Sequence, residues 1–185
     1  LHSQSSDYHG YLAENFAKLD PHVGTQQKYQ ELANALHERG MYLIQDIVGN
    51  HTGNFFSYTA QDGSSTWDPT DPTKGVRFNP GSVPITRPSQ SPFDQNDVTN
   101  AADRDAAIYH WTPTIIDAND ADQQLTYQLS DLDDLNTTNP VVRAALKQSY
   151  ACWIQNAGVD AFRIDTVKYV EHDFWHDFVY SEDPA

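Results

Sequence analysis

The sequence has little cysteine, little positive charge and no long apolar run. Its 185 residues include one cysteine, Cys152, so no disulfide can form within the chain. Lys and Arg number 11 against 26 Asp and Glu, which gives a formal net charge of −15. Such a surface repels phosphate backbones and anionic lipid, so nucleic acid and membranes are not expected partners. No stretch reaches the roughly 20 apolar residues that span a bilayer.

The sequence also lacks an initial methionine and a recognisable signal peptide. It opens at Leu1 in a polar stretch and closes at Ala185 just after a predicted helix, so we expect it to be part of a longer protein. An extracellular or periplasmic location is slightly favoured, but the sequence determines neither the compartment nor the oligomeric state. What the chain does have is 12% aromatic residues and the length of an ordinary domain, which favours a folded core.

Helical and apolar segments alternate along the chain. Thr25 is the predicted N-cap of a helix that Gly40 ends, and the apolar run at 41–48, "MYLIQDIV", predicts a buried strand. Asn139 and Pro140 have the residue types of an N-cap and a first helical position, and Gly158 ends that second helix. Its predicted apolar face consists of Val142, Leu146, Tyr150 and Trp153. A strand, "DAFRID", and the start of another helix, "EHDFWHDFVY", follow.

Residues 52–138 interrupt this alternation. The segment is rich in Pro, Gly, Asp, Ser and Thr, as in "DGSSTWDPTDPTKG", and has no long periodicity. Such lengths are uncommon inside compact domains unless they serve a function. The flanking helices and apolar strands predict an α/β fold, a parallel sheet with helical crossovers. In these sheets the functional residues gather at the carboxyl ends of the strands.

Polar residues occur at the ends of both predicted strands. Arg163 and Asp165 are two residues apart, so on a strand they face the same way and can pair. The pair would keep Asp165 ionised, which suits a nucleophile and equally suits a structural salt bridge. Asp46 in "QDIVGNH" is either a buried structural carboxylate or a functional one, and Asn50 and His51 are either a polar turn or site residues. Polar clusters at the ends of both strands favour a functional site over a structural role more strongly than either cluster does alone.

A third polar cluster is "QLSDLDDLN" at 128–136. Its composition is consistent with either a solvated acidic loop or part of a site for a hard cation. Calcium takes six to eight oxygen ligands, and Asn50 and Asp131 could both contribute. Zinc is disfavoured, because the chain has one cysteine and its eight histidines are scattered. In the loop "YHGY" at 8–11, Tyr11 follows His9 and Gly10, and its ring suits stacking on a sugar.

Taken in this order, these motifs resemble the α-amylase family of glycoside hydrolases, family 13. "DIVGNH" and "FRIDTVKY" look like its first two signatures, "LSDLD" like its short signature before the third barrel helix, and "YHGY" like its sugar-stacking loop. The resemblance implies part of a (β/α)8 TIM barrel with a loop-rich B domain inserted between strand 3 and helix 3. Residues 1–51 and 139–185 would then belong to the barrel, and 52–138 to the B domain.

The resemblance also implies a role for each residue that matches a motif. Asp165 matches the nucleophile, and Arg163 the arginine that supports it. Asp46 and His51 match groups that hold the sugar in subsite −1, where Tyr11 matches the stacking tyrosine.

Further residues match the family at the edges of that subsite. His9 matches a neighbouring sugar contact, and Lys168 an acceptor-side contact beside Tyr169, which is also expected to be substrate-binding. Asn50 and Asp131 match side-chain ligands of a calcium ion, to which Tyr169 would add its backbone carbonyl. The family's second signature often ends Lys-His, so Tyr169 would keep the backbone ligand but lose an imidazole contact.

The implied function is retaining hydrolysis of α-1,4-glucosidic bonds in starch or maltooligosaccharides, through a glycosyl-enzyme formed on Asp165. The alternatives are a transglycosidase of the same family (a glucanotransferase or a sucrose-active enzyme), a non-catalytic relative that acts as a scaffold, and a carbohydrate-binding module. The family's general acid is a Glu on barrel strand 5, which would lie beyond Ala185. Residues 1–185 alone are therefore expected to be inactive.

Overall fold

The structure is a computed structural model that describes residues 2–3, 9–59, 62–78 and 87–180. Tyr8, the first residue of the "YHGY" motif, and both chain ends lie outside the described residues. In chain order the elements are β1 (His2–Ser3), β2 (Ala13–Asn15), α1 (Gln26–His37), β3 (Ile44–Val48), β4 (Phe56–Ser57), β5 (Arg77–Phe78), α2 (Ala101–Ala106), α3 (Ala121–Thr126), α4 (Pro140–Ala157), β6 (Ala161–Asp165), a 3₁₀ helix (Val167–Tyr169) and α5 (His172–Tyr180).

The centre of the fold is the parallel pair β3 and β6. Its register places Asp46 opposite Arg163 and Val48 opposite Asp165, so the ends of the two strands coincide. The described residues form three separate two-stranded sheets, β1–β2, β3–β6 and β4–β5, and contain no closed barrel. The predicted α/β alternation with a parallel sheet is thus present, while the barrel is represented by one strand pair and its helices.

Helix α4 begins and ends where local side-chain chemistry requires it. The Asn139 side chain accepts a hydrogen bond from the backbone N–H of Val141, Pro140 occupies the first turn, and Gly158 adopts a left-handed backbone with φ of 75°. The predicted face of Val142, Leu146, Tyr150 and Trp153 is fully buried. Each such side chain contributes on the order of 1.5–3 kcal/mol by leaving water. This helix therefore anchors the sheet.

Helix α1 packs beside α4 over the same face of the sheet. Thr25 caps it by accepting from the N–H of Lys28, as predicted. The last helical residue is His37, three residues before Gly40, because Glu38 already forms the C-cap. The rings of Tyr29 and Trp153 meet edge to face with centroids 5.7 Å apart, and this contact joins the two helices.

The expectation of a buried strand at 41–48 is confirmed only over Ile44–Val48, where Gln45, Ile47 and Val48 are buried. The strand begins only at Ile44, and Met41, Tyr42 and Ile44 are 52%, 80% and 62% exposed. Strand side chains alternate between faces, and Gln45 and Ile47 point to the helices and are buried. On the opposite face, no element within the described ranges covers Ile44, so an apolar sequence remains exposed there.

The described residues of the segment 52–138 are irregular but well packed. At 52–59, 62–78 and 87–138 they form only the short elements β4, β5, α2 and α3. The ring of Phe56 meets that of Tyr109 edge to face, with centroids 5.5 Å apart. Its centroid lies 5.0 Å from that of the tilted Trp111 ring, and all three side chains are buried. An aromatic cluster therefore holds this segment together in place of long periodic elements. In the part of the chain that the structure describes, no helix has the length and apolar character that crossing a bilayer requires.

Candidate active site

The side chains at the ends of β3 and β6 form one polar cluster around Arg163. Its Nη1 donates to both carboxylate oxygens of Asp46, at 3.0 and 3.1 Å, and to Oδ1 of Asp165 at 2.8 Å. Tyr11 donates its hydroxyl to Oδ2 of Asp46 at 2.9 Å. The pairing of Arg163 with Asp165 follows from their spacing on one strand. The second partner, Asp46, follows from the parallel register and could not be read from spacing.

This cluster is open to solvent. The side chains of Arg163, Asp46 and Asp165 are 55%, 47% and 28% exposed. The alternative of a buried structural carboxylate at Asp46 is therefore wrong for the described residues, in which about half of its side chain is exposed. The hydrogen bonds that Arg163 donates, first to Asp46 and then to Asp165, raise the pKa of its guanidinium. Exposed ion pairs contribute at most about 1 kcal/mol to folding, so stability alone does not account for three charges here.

One carboxylate oxygen of Asp165 is available to react with a ligand. Oδ1 is held by Arg163, while Oδ2 accepts no hydrogen bond from any residue that the structure describes. One oxygen is thus fixed in orientation and the other is available to a ligand. Next in the chain, Thr166 adopts a left-handed backbone with φ of 56°, which is rare for a β-branched residue. The chain therefore turns sharply just after the carboxylate.

The loop that carries Tyr11 closes one side of the cluster. His9 accepts the backbone N–H of Tyr11 on Nδ1 at 3.1 Å, and the two rings lie 5.6 Å apart. Burial, followed by the bond to Asp46, raises the pKa of Tyr11, which keeps its hydroxyl protonated. His51 is 1% exposed, and burial lowers its pKa to about 4 against the opposing effect of the Tyr11 backbone. His51 is therefore neutral at pH 7.

Of the eight residues predicted to be catalytic or substrate-binding, the structure brings six together and leaves two apart. The six are His9, Tyr11, Asp46, His51, Arg163 and Asp165. Lys168 and Tyr169 lie on the 3₁₀ helix that follows the cluster, where Nζ of Lys168 sits 5.1 Å from the Tyr169 ring centroid. No hydrogen bond or ion pair within the described residues joins either side chain to the cluster.

The carboxylate beside Asn50 is that of Asp134. An antiparallel bridge pairs His51 with Asp134, and the N–H of Leu135 donates to the carbonyl of Asn50 at 2.9 Å. In this register Asp131, three residues before Asp134, is not paired with His51. Its Oδ1 instead accepts a hydrogen bond from the hydroxyl of Thr114. The predicted neighbour Asp131 is therefore not bonded to Asn50, and the sequence interpretation missed Asp134. The string "LSDLDD" offers three carboxylates and does not indicate which one faces inward.

Asn50 and Asp134 are buried with incompletely satisfied oxygens. Asn50 is 1% and Asp134 3% exposed, and Oδ1 of each has no hydrogen-bond partner in the described residues. The second oxygen of Asp134 lies 2.6 Å from Nδ1 of His110. Burial raises the pKa of Asp134 to about 7, an effect that His110 partly offsets. The alternative of a solvated acidic loop is wrong for Asp134, and also for Asp133, which is fully buried.

These oxygens fit a hard cation. Unpaired buried oxygens are costly, and calcium binds side-chain amide, carboxylate and backbone oxygens. No group of three or more His, Cys, Asp or Glu side chains in the described residues could hold a metal by itself. A site here would therefore depend on an amide and on backbone carbonyls as well as on Asp134.

Comparison with known proteins identifies the class to which this fold and site belong. The chain matches the family "Alpha amylase, catalytic domain" over residues 1–182, so it belongs to the α-amylase family. It is 32% identical to an alpha-amylase of Streptomyces lividans over 191 residues, which is 92% of this chain and 20% of that protein. It is 30% identical to a cyclomaltodextrin glucanotransferase of Geobacillus stearothermophilus, over 91% of this chain and 20% of that protein.

Solved structures show the same relationship. The alpha-amylase of Geobacillus thermoleovorans, crystallised with acarbose, superposes with a TM-score of 0.68 at 26% identity, over 96% of this chain and 31% of that one. Such neighbours are TIM-barrel enzymes, so the β3–β6 pair with α1 and α4 corresponds to part of a (β/α)8 fold. The chain spans about a fifth of the length of the curated relatives it matches.

Proposed function

We propose that the whole protein is a retaining glycoside hydrolase that cleaves α-1,4-glucosidic bonds of starch or maltooligosaccharides. The observation that carries this proposal is the geometry of Asp165, a carboxylate at a strand end with one oxygen held by Arg163 at 2.8 Å and the other free. Membership of the α-amylase family supports the substrate class. An extracellular or periplasmic location would bring such an enzyme to polymeric substrate.

In this mechanism Oδ2 of Asp165 attacks the anomeric carbon and forms the glycosyl-enzyme. Arg163 orients the carboxylate and balances its charge before the attack. Asp46, held by Arg163 and Tyr11, presents acceptors to sugar hydroxyls, and the neutral His51 lies beside the Tyr11 loop. The ring of Tyr11 is the stacking surface, while His9 adds a contact at the edge of the subsite.

Retaining hydrolysis also needs a second carboxyl group, about 5 Å from the first, to protonate the leaving oxygen. Asp46 is the other carboxylate of the cluster, but both of its oxygens already accept hydrogen bonds from the guanidinium that holds Asp165. We assign the acid to a Glu of the whole protein outside these 185 residues. Lys168 and Tyr169 would contact the acceptor sugar.

Residues 52–138 are proposed to be the B domain, inserted between the third strand and third helix of the barrel. A calcium ion would join it to the barrel. Oδ1 of Asn50 and Oδ1 of Asp134 would bind it together with the carbonyl of Tyr169, so that Asp134 takes the place first expected for Asp131. When bound, the ion would neutralise a buried carboxylate and hold the two segments together.

The experiment that tests the proposed function is covalent trapping. The whole protein is treated with a 2-deoxy-2-fluoro or related fluorinated maltosyl trap, digested, and the labelled peptide identified by mass spectrometry. We expect the label on Asp165 and no label in Asp165→Asn. The matched control is Asp160→Asn, the same substitution five residues earlier, which should label normally. Labelling at another residue, or full activity of Asp165→Asn, contradicts the assignment.

The second candidate function is glycosyl transfer. It is favoured by the glucanotransferase relative, which is about as similar to this chain as the hydrolase relative. Both reactions share the glycosyl-enzyme and differ in whether water or a sugar attacks it. Product analysis on starch, maltooligosaccharides and sucrose separates them: linear short products indicate hydrolysis, and cyclic or elongated products indicate transfer.

A further inference from the structure

Trp175 of α5 touches both of the turns that leave the central strand pair. Its indole Nε1 donates to the carbonyl of Val167 at 3.0 Å. Its ring atom Cη2 lies 3.0 Å from the position that a Cβ on Gly49 would occupy, and Cζ3 lies 3.7 Å away. One side chain thus bridges the turn after β3 and the turn after β6.

The ring explains why residue 49 is a glycine. Gly49 is not among the glycines with a left-handed backbone, so its conformation is open to any residue. A contact of 3.0 Å is tighter than real Cβ atoms ordinarily make, and the neighbour is a rigid indole that is itself hydrogen-bonded. The restriction at residue 49 therefore comes from the packing of Trp175 and not from the turn.

Each bridged turn carries residues of the proposed site. Gly49 directly precedes Asn50 and His51, while Val167 lies two residues after Asp165 and one before Lys168. Between Asp165 and Val167, Thr166 holds its left-handed conformation. Strain of this kind costs about 1–3 kcal/mol and persists only where surrounding contacts enforce it. The Trp175–Val167 hydrogen bond is one of those contacts.

We propose that Trp175 is a positioning residue, which sets the separation between the turn carrying His51 and the turn carrying Asp165 and Lys168, and that Gly49 is required to admit it. This inference rests on the proposed function, because it concerns the same site. Trp175 acts through the carbonyl of Val167 and the backbone of Gly49. Its rings also pack on Phe174 and Phe178, with centroids 4.8 and 5.7 Å away, which fixes its place in α5.

The test compares Trp175→Phe, Gly49→Ala and the double variant in the whole protein. The control is Trp67→Phe, which loses an indole–carbonyl hydrogen bond of similar length, 2.9 Å to Trp111, within residues 52–138. Kinetics on a maltooligosaccharide are measured well below the melting temperature. Because a misplacement of about 1 Å can cost on the order of a hundredfold in rate, we expect Trp175→Phe and Gly49→Ala each to lower kcat at least about tenfold with little change in KM.

The double variant distinguishes positioning from loss of stability. Phenylalanine lacks the six-membered half of the indole that faces Gly49, so Gly49→Ala should cost less in the Trp175→Phe background than in the wild type. Trp67→Phe should lower the melting temperature without changing kcat. If Trp175→Phe does not fold, Gly49→Ala alone tests the same contact from the other side.

Two results overturn the proposal. One is a kcat of Trp175→Phe or Gly49→Ala equal to that of Trp67→Phe. The other is strictly multiplicative effects in the double variant, which would mean that Trp175 does not restrict residue 49. A wild-type protein without turnover instead refutes the proposed function. In that case the melting temperatures of the two single variants and the double variant still test the packing contact. If Gly49→Ala lowers the melting temperature equally in the wild-type and Trp175→Phe backgrounds, the inference that Trp175 requires a glycine at residue 49 is overturned as well.

Discussion

Asp46 and Arg163 stand opposite each other on parallel strands, and one guanidinium nitrogen, Nη1, lies within 3.1 Å of both oxygens of Asp46. The same nitrogen donates to Asp165, so two carboxylates share one cation. This arrangement requires the parallel register as well as the two-residue spacing on β6.

The first prediction concerns this shared cation. Arg163→Lys replaces the guanidinium with a compact charge on a flexible stem that is one bond shorter than the reach of Nη1, so the two carboxylates lose their fixed orientation. We expect kcat/KM of the whole protein to fall more than about tenfold, with an almost unchanged melting temperature because the cluster is exposed. The control Arg87→Lys alters an exposed pair with Asp97, remote in sequence from the strand ends, and should leave kinetics unchanged. Equal kinetics for both variants would contradict the prediction.

The second prediction concerns the buried hydroxyl of Tyr150, which donates to the carbonyl of Val48 at the end of β3. Tyr150→Phe leaves that carbonyl without its partner in a fully buried region. The free energy of unfolding should fall by about 1–3 kcal/mol, the usual cost of an unsatisfied buried group. Urea unfolding measures it, beside Tyr180→Phe, which changes a side chain that is 74% exposed. A loss no larger than that of Tyr180→Phe would show that the bond contributes little.

The third prediction concerns calcium. A ligand that binds only the folded state raises the melting temperature by mass action, so calcium should stabilise the whole protein relative to chelator. Asn50→Ala and Asp134→Ala should abolish this difference, while Asp131→Ala should retain it because Asp131 is bonded to Thr114. Loss of the calcium effect in Asp131→Ala alone would restore Asp131 as the ligand. Identical melting curves of the wild type with calcium and with chelator would refute the site.

The fourth prediction is a pH dependence. Asp160 accepts the backbone N–H of Leu43 at 2.7 Å and lies 2.8 Å from Nε2 of His37, and these contacts lower its pKa below the ordinary 3.8. A depressed folded-state pKa stabilises the protein above the unfolded pKa. That stabilisation is lost as pH falls from about 4 through the folded value. Thermal unfolding between pH 6 and pH 2.5 should therefore depend less on pH in Asp160→Asn than in the wild type, on the order of one proton less.

The control for this titration is Asp105→Asn, in which an exposed carboxylate of α2 is removed. Its melting temperature should follow the wild-type pH dependence. If Asp160→Asn also follows the wild-type pH dependence, then protonation of Asp160 does not contribute to the pH dependence of stability.

The fifth prediction is that residues 1–185 alone do not turn over an activated maltoside. Asp165 is present, but the other carboxylate of the cluster, Asp46, has both oxygens bound to the same guanidinium, and we assign the general acid to a Glu outside these residues. The assay is run beside Asp165→Asn, which lacks the nucleophile. Turnover clearly above that variant would show that these residues contain their own general acid.

Sequence alone was sufficient where structure depends on near neighbours along the chain. A helix cap needs one side chain and an N–H two or three residues away, and Thr25 and Asn139 supply such caps in the structure. The alignment of Arg163 with Asp165 needs only the two-residue period of a strand. The motifs that indicated the α-amylase family are short strings of the same kind, which is why the family was evident without a structure.

Burial and long-range contacts were decided by the tertiary structure. The apolar Ile44 is exposed at the start of β3, whereas Val48, on the same face at the end of the strand, is fully buried. The register of the bridge between His51 and Asp134 selects the carboxylate that faces Asn50, and a packed indole from α5 excludes a side chain at Gly49. The sequence determined the three longest helices, the approximate positions of β3 and β6, and the residue types at their ends. The packing of distant segments decided which of those residues touch, because pair energies depend on separation in space and not along the chain.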